Sequence, residues 1–502
     1  MKQTTSQIPA SGYLEKLLVI CWYVTVASAA FGSCLLRISL PIGGHFFLFR
    51  GAILATCLVY LLLLLRRREN PFRGLSRIEI CFVGVVACML GYGLVSALWA
   101  ISLGAWFSKF FTMCQMFALV FLFLKLCRDE KVMRVTLLLA GITTLFCALG
   151  GIVECVRGPF FDTPYRTLRY VFFNRAMYAP IFTFYNPNGM AVYVLFTLEI
   201  LYLHMAFNWE KISSPQNKRL LYGLSAWMGI SIFICCAGSG RLALLSLPII
   251  LCGLAVWLMM RFKKGLVVFL GLALCLTFVY VGENYAEVKY RVVQTGRQIQ
   301  EFWVPADGSA SSDEPMDPPP PDKNLHATLY TIVPAITGVG KGASAQESDG
   351  VRVSLLKNSM EMLIESKGLG IGLGNAEQRM PEFDNTGGIT AVHCFIMEIF
   401  LEFGVFALIP LLVLVFLILK VIFYELYTAV KTHRREQLAD VFFLVFTIIT
   451  YLPLSTANSS SWGLQAMWLY IAEVLLCTGK MEGGRDKLGR VPVIYENFDD
   501  NQ

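Results

Sequence analysis

Gly368-Leu-Gly-Ile-Gly-Leu-Gly374 and Ala391-Val-His393-Cys-Phe-Ile-Met-Glu-Ile-Phe-Leu-Glu402 close the long polar insertion of an otherwise apolar chain. An exposed alternating glycine run leads to a histidine, and the histidine stands where the sequence turns apolar again. Outward from that point the chain is of membrane type. It is 56% hydrophobic and 15% charged, whereas a soluble domain carries about 25% charged residues. The formal charge of +7 is no nucleic-acid signal, because the basic residues sit in short clusters between apolar runs. Most of the fifteen cysteines lie inside such runs, where they act as small hydrophobes, and no Cys/His spacing resembles a zinc site.

A membrane-spanning helix needs about 20 apolar residues. Runs of that kind lie at 14–36, 44–65, 78–98, 107–126, 135–155, 188–207, 222–238, 242–260, 265–282, 394–420, 438–455 and 460–478. Ala27-Ser-Ala29 resembles a signal cleavage site, but the first run continues to Leu36 and reads as an uncleaved helix. Basic clusters follow the second, fourth, sixth, eighth, tenth and twelfth runs, from Arg66-Arg67-Arg68 to Lys480 and Arg485. This parity predicts an all-α integral membrane protein of about twelve transmembrane helices with both termini cytoplasmic. Residues 1–282 hold helices one to nine, 283–393 form a large extracytoplasmic loop, 394–478 hold helices ten to twelve, and 479–502 form a cytoplasmic tail. Within the loop, 306–322 is a proline-rich insertion of flexible or polyproline type. Amphipathic helices are expected at Tyr285–Phe302 and Val351–Glu365; the second has Leu355, Leu356, Ser359, Met360 and Leu363 on one face.

Ionisable residues at helix ends mark candidate chemistry. Arg241, in Gly238-Ser-Gly-Arg241, is either part of an anion-binding nest or a snorkelling arginine in a tight hairpin. Arg352 opens the outer amphipathic helix, where it is a candidate cation or a solvated surface arginine. Arg175 precedes Asn186-Pro-Asn188-Gly189, a helix-start signal whose amides could also hold a sugar or phosphate. His393 has Glu398 and Glu402 beyond it, and an imidazole can take a proton near neutral pH. A histidine and arginines at a membrane surface suggest chemistry on a lipid-borne substrate. The glycine run Gly370, Gly372, Gly374 is no P-loop, since no Gly-Lys-Ser/Thr follows. The first outer loop, Arg37–Gly43, has no acid, which speaks against a metal-dependent membrane glycosyltransferase with ligands there.

Taken in order, Asn-Pro-Asn-x-x-Ala (186–191), Ser-Gly-Arg-x-x-Leu (239–244), the Arg352 helix, Gly-x-Gly-x-Gly, Ala-x-His and Glu-x-Gly (402–404) resemble the O-antigen ligase and O-antigen polymerase superfamily. The resemblance covers roughly residues 180–410. It implies a glycan transferase on the outer face of a bacterial cytoplasmic membrane, without metal or other cofactor, that inverts the anomeric centre. The donor it implies is a glycan on a polyprenyl (undecaprenyl) diphosphate; the acceptor is a glycan, glycolipid or protein, with no nucleic-acid partner. Arg241 and Arg352 match the arginines that hold the diphosphate, and His393 matches the histidine at the acceptor. Arg175, Asn186, Asn188, the three glycines, Glu398 and Glu402 are the expected substrate-binding residues. The chain departs from the family pattern at Cys394, where asparagine often stands, and at Ala179, where arginine often stands and Arg175 is the substitute. A repeat-unit polymerase, a protein O-oligosaccharyltransferase and a lipid-linked glycan flippase are the alternatives to a ligase.

Overall fold

The computed structural model describes residues 12–32, 34, 36, 38–39, 45–161, 169–172, 175–184, 186–209, 214–237, 241–262, 343–457 and 462–488. The ninth apolar run, the expected helix at 285–302, the proline-rich insertion and most of the tail lie outside the described residues.

Helices dominate. In chain order they are α1 (Tyr13–Ala29), α2 (Leu48–Arg67), α3 (Arg77–Val95), α4 (Leu103–Leu126), α5 (Glu130–Arg157), α6 (Pro187–Phe207), α7 (Ser214–Ala237) and α8 (Arg241–Phe262). From residue 343 on come α9 (Ala343–Glu365), α10 (Ala376–Arg379), α11 (Phe395–Phe403), α12 (Val405–Lys431), α13 (Arg435–Ala457) and α14 (Gln465–Leu488). Two small antiparallel hairpins lie between helices: β1 (Ile38–Ser39) with β2 (His45–Phe46), and β3 (Arg169–Phe172) with β4 (Arg175–Tyr178). Among the described residues, seven helices are long and apolar enough to cross a membrane: α2 to α6, α12 and α13, with α3 counted through Trp99. The chain is therefore a multi-pass membrane protein.

Local chemistry sets the helix starts. Ser76 and Glu79 form a capping box at α3, with the Ser76 amide donating to Glu79 Oε2 at 2.6 Å. Asp129 caps α5 through the Lys131 and Val132 amides. Asn186 caps α6, accepting from the Gly189 amide at 2.5 Å, and Pro187 occupies the first helical position. The Asn-Pro-Asn-Gly signal is thus a helix start in fact.

α6 is apolar on all sides and buried on all sides, and so takes the centre of the bundle. α5, α7, α13 and α14 pack around it, and α8 runs along α13. By contrast α12 presents Ile409, Leu412, Phe416 and Phe423 outward, each more than half exposed, as a lipid-facing helix does. The first expected helix stops at Ala29 rather than Leu36. The tenth expected helix, 394–420, is two helices. Gly404, at φ 56°, breaks the run between α11 and α12, and the Val405 amide turns aside to donate to Gly368 O at 3.0 Å.

Candidate functional site

The second half of the loop folds onto one end of the bundle through a small core of its own. Leu355 and Met362 of α9, Ile371 of the glycine run, Ala376, Met380, Val392, and Met397 and Leu401 of α11 are buried together. Val351 and Cys394 pack against this core. Arg352 follows Val351 and His393 lies between Val392 and Cys394, so this apolar cluster is what brings the two candidate residues into one neighbourhood. Elsewhere on α9, Asn358 and Asn385 exchange amide hydrogen bonds at 2.8 and 3.2 Å, which fastens the 384–388 segment to the helix.

His393 is held in an unusual backbone state. Its φ is 55°, a left-handed conformation that costs a non-glycine residue about 1–2 kcal/mol. Residues keep such a conformation only where the surroundings over-determine it, and functional sites are where they gather. Burial, and then the positive charge of Arg352, push the imidazole down to about 4. At neutral pH the ring is therefore uncharged, with one nitrogen free to accept. Nδ1 is buried and has no hydrogen-bond partner among the described residues.

The glycine run is not the exposed connector its sequence suggests. Residues 371–376 are buried, and the run is clamped on two sides. On one side the Ile371 and Gly372 amides donate to Leu401 O and Glu402 O at 2.8 and 3.1 Å. On the other, the α3–α4 turn grips it. Tyr92 Oη donates to Leu369 O and Gly370 O, Trp99 Nε1 to Ile371 O, and the Leu373 amide to Ser96 Oγ. Asn375 closes the clamp by accepting from the Ile101 amide at 2.9 Å. The glycines serve this packing. A Cβ on Gly370 would stand 2.7 Å from Glu402 O, and one on Gly372 would stand 2.5 Å from Trp99 Nε1. Gly374, at φ 79°, approaches the Trp106 backbone less closely, with a Cβ there 3.1 Å from its nitrogen.

Glu398 and Glu402 also face inward. Lys109 Nζ on α4 lies 2.5 Å from Glu398 Oε1 and 2.6 Å from Glu402 Oε1, and both carboxyls are buried. Glu377 stands 4.0 Å from the same ammonium. Glu402 Oε1 also accepts from the Gly374 amide at 3.1 Å. This cluster joins a bundle helix, the glycine run and α11, so the two glutamates hold the His393 segment in place through Lys109. Sequence reading passed over Lys109. The available signal was a lone cation just inside an apolar run, which is costly unless paired.

The remaining expected residues divide. Asn186 Oδ1 is taken up as the α6 cap, and Asn188 sits half-buried in the first helical turn. The approach to that turn is held by Glu154, which accepts from the Phe160 and Ile181 amides at 2.8 and 2.9 Å and from the Phe182 amide. Arg241 heads α8 and Arg175 opens β4, but their side chains lie outside the described residues. Among the described residues no group of three His, Cys, Asp or Glu side chains is placed to hold a metal ion.

Comparison with known proteins bears on these residues. Residues 226–437 match the family model described as O-antigen ligase. That segment contains Arg241, Arg352, the glycine run, His393, Glu398 and Glu402, but not Lys109 or the Asn186 turn. The teichuronic acid biosynthesis protein TuaE of Bacillus subtilis (strain 168) is 25% identical over 140 residues, which is 28% of this chain and 28% of that protein. The chain thus matches under a third of that relative's length. Together the two matches support the O-antigen ligase and polymerase superfamily.

Proposed function

We propose that this protein transfers a glycan from a polyprenyl diphosphate carrier to an acceptor hydroxyl, as an O-antigen ligase does, at the outer face of a bacterial cytoplasmic membrane. The observation that carries the reading is the neutral, left-handed His393 beside Arg352, just ahead of the α11 helix that the glycine run clamps. In this reaction the acceptor oxygen attacks the anomeric carbon opposite the diphosphate. The bond from that carbon to the diphosphate oxygen breaks, its electron pair leaves on the phosphate, and the configuration inverts. Arg352, with Arg241, takes up the charge on the leaving group, for which a guanidinium offers bidentate geometry. His393 accepts the hydroxyl proton or orients the hydroxyl for its loss. Neither role calls for a metal.

The pairing of Arg352 with His393 has an electrostatic consequence. The guanidinium charge helps hold the imidazole a weak base in the free protein. A bound diphosphate offsets that charge, so His393 becomes a stronger base when the donor is in place. The order favours transfer over idle protonation.

A polymerase that joins repeat units on the carrier is the second reading. It is favoured by the likeness to a protein named for teichuronic acid biosynthesis. Purified protein, a polyprenyl-diphosphate glycan and defined acceptors distinguish the two. A single addition to a glycolipid acceptor supports the ligase, and a ladder on the carrier supports the polymerase. Transfer to a peptide hydroxyl would indicate a protein O-oligosaccharyltransferase. Movement of intact lipid-linked glycan between leaflets with no transfer would overturn both transferase readings in favour of a flippase.

A further inference from the structure

At the opposite end of the bundle, the start of α1, the last turns of α2 and α4, the 69–74 turn and the start of α5 enclose a cavity of about 590 Å³. Its wall is aliphatic, with Leu18, Leu63 and Leu126 along it, and its rim is ionic. Three cations and three anions line the rim: Arg67, Arg73, Lys125, Glu15, Glu69 and Asp129. Their pairings leave an imbalance. Arg67 forms an ion pair with Glu15 and reaches Glu69 at 3.8 Å, which occupies both glutamates. Asp129 Oδ1 accepts from the Lys131 and Val132 amides as the α5 cap. Lys125 Nζ donates to a neutral acceptor, Arg73 O, at 2.7 Å, and no described carboxylate lies within ion-pair distance of it. The Arg73 guanidinium likewise makes no ion pair among the described residues, and its neighbour Arg128 is occupied by Glu79.

We propose that this cavity binds an anionic glycerophospholipid of the adjoining leaflet. Its phosphate lies between Arg73 and Lys125, and an acyl chain lies along the aliphatic wall. A guanidinium and an ammonium side by side suit a phosphate diester. Basic pockets between spanning helices are the sites where anionic headgroups lodge. The apolar wall distinguishes a lipid from a free phosphate ion. This site is separate from the glycan site. Lys125 lies sixteen residues beyond Lys109 on the same helix, or about 24 Å along it. All the lining residues also precede residue 133, outside the matched segment 226–437.

The test uses the purified full-length protein, delipidated in detergent and titrated with dioleoylphosphatidylglycerol, dioleoylphosphatidylcholine or inorganic phosphate. Native mass spectrometry and thermal unfolding provide the readouts. Phosphatidylglycerol should bind and raise the melting temperature, and phosphatidylcholine and inorganic phosphate should not. The Arg73→Gln/Lys125→Gln variant should bind phosphatidylglycerol at least tenfold more weakly. The Lys131→Gln/Arg134→Gln variant removes equal charge at the same end of the bundle, outside the cavity, and should bind like wild type. If the first variant fails to fold, Leu64→Trp, which fills the cavity, should abolish lipid retention. Equal stabilisation by phosphatidylcholine or by inorganic phosphate would overturn the proposal. So would equal loss in the control variant, or unchanged lipid retention in Leu64→Trp.

Discussion

Replacing Lys109 with methionine removes an ammonium that serves two buried carboxyls. Lys109 Nζ is 2.5 Å from Glu398 and 2.6 Å from Glu402, whose side chains are 5% and 0% exposed. Breaking a buried ion pair by deleting one partner costs about 3–5 kcal/mol, because the other charge stays buried and uncompensated. Here two carboxyls are orphaned, so Lys109→Met should reach the upper part of that range. Replacing all three groups by neutral ones removes the cause. The triple variant Lys109→Met/Glu398→Gln/Glu402→Gln should recover most of the lost stability. Denaturation of the purified protein in detergent gives the free energies. Hydrogen exchange at the Ile371, Gly372 and Gly374 amides should report loosening of the clamp in the single variant first. A loss below about 1 kcal/mol in Lys109→Met, or a triple variant no more stable than the single, would refute the view that this cluster anchors the His393 segment.

Two further outcomes follow from the same geometry. Gly370→Ala should destabilise by more than the about 1–2 kcal/mol of a left-handed backbone alone, because its Cβ meets main-chain atoms at 2.7 Å. Gly387→Ala, at φ 58° with open space around it, should show only that smaller cost, and equal losses for the two in denaturation curves would contradict the packing role. The histidine gives a pH signature. Its folded value of about 4 lies below the ordinary 6.5, so the unfolded chain binds the proton more readily. The His393 contribution to stability is thus complete above pH about 6.5, and declines as pH falls from there towards about 4. His393→Gln should flatten this part of the stability–pH curve, and an unchanged slope would mean that the imidazole is not held neutral.

Much of the fold was legible because membrane insertion writes itself into composition. Eleven of the twelve apolar runs overlap described helices, seven of which are long and apolar enough to span, while the ninth lies outside the described residues. The split at Gly404 was hidden, since apolar residues flank it on both sides, and the break shows in the φ of Gly404 and in the partner of the Val405 amide. The Asn186 cap was readable because caps are local. The glycine run was readable as a pattern but not as a role. Its alternation suggests openness to a ligand, whereas its contacts are with Trp99 and Trp106, far away in sequence. Lys109 was missed for the same reason: it and Glu402 are 293 residues apart, and no local periodicity encodes such a pair. The motifs single out Arg352 and His393 as candidates, but the depressed basicity of the imidazole depends on burial and on a neighbour brought in by a separate helix.

If Arg352 and His393 act at one reacting centre, single-turnover transfer from a purified polyprenyl-diphosphate glycan separates their roles. Arg352→Gln should weaken donor binding and slow transfer. His393→Gln should leave donor binding near wild type and slow transfer by about 10²–10⁴, the usual share of a positioned proton acceptor. Folded His393→Gln and Arg352→Gln proteins that transfer glycan at the wild-type rate would show that neither residue acts in the transfer.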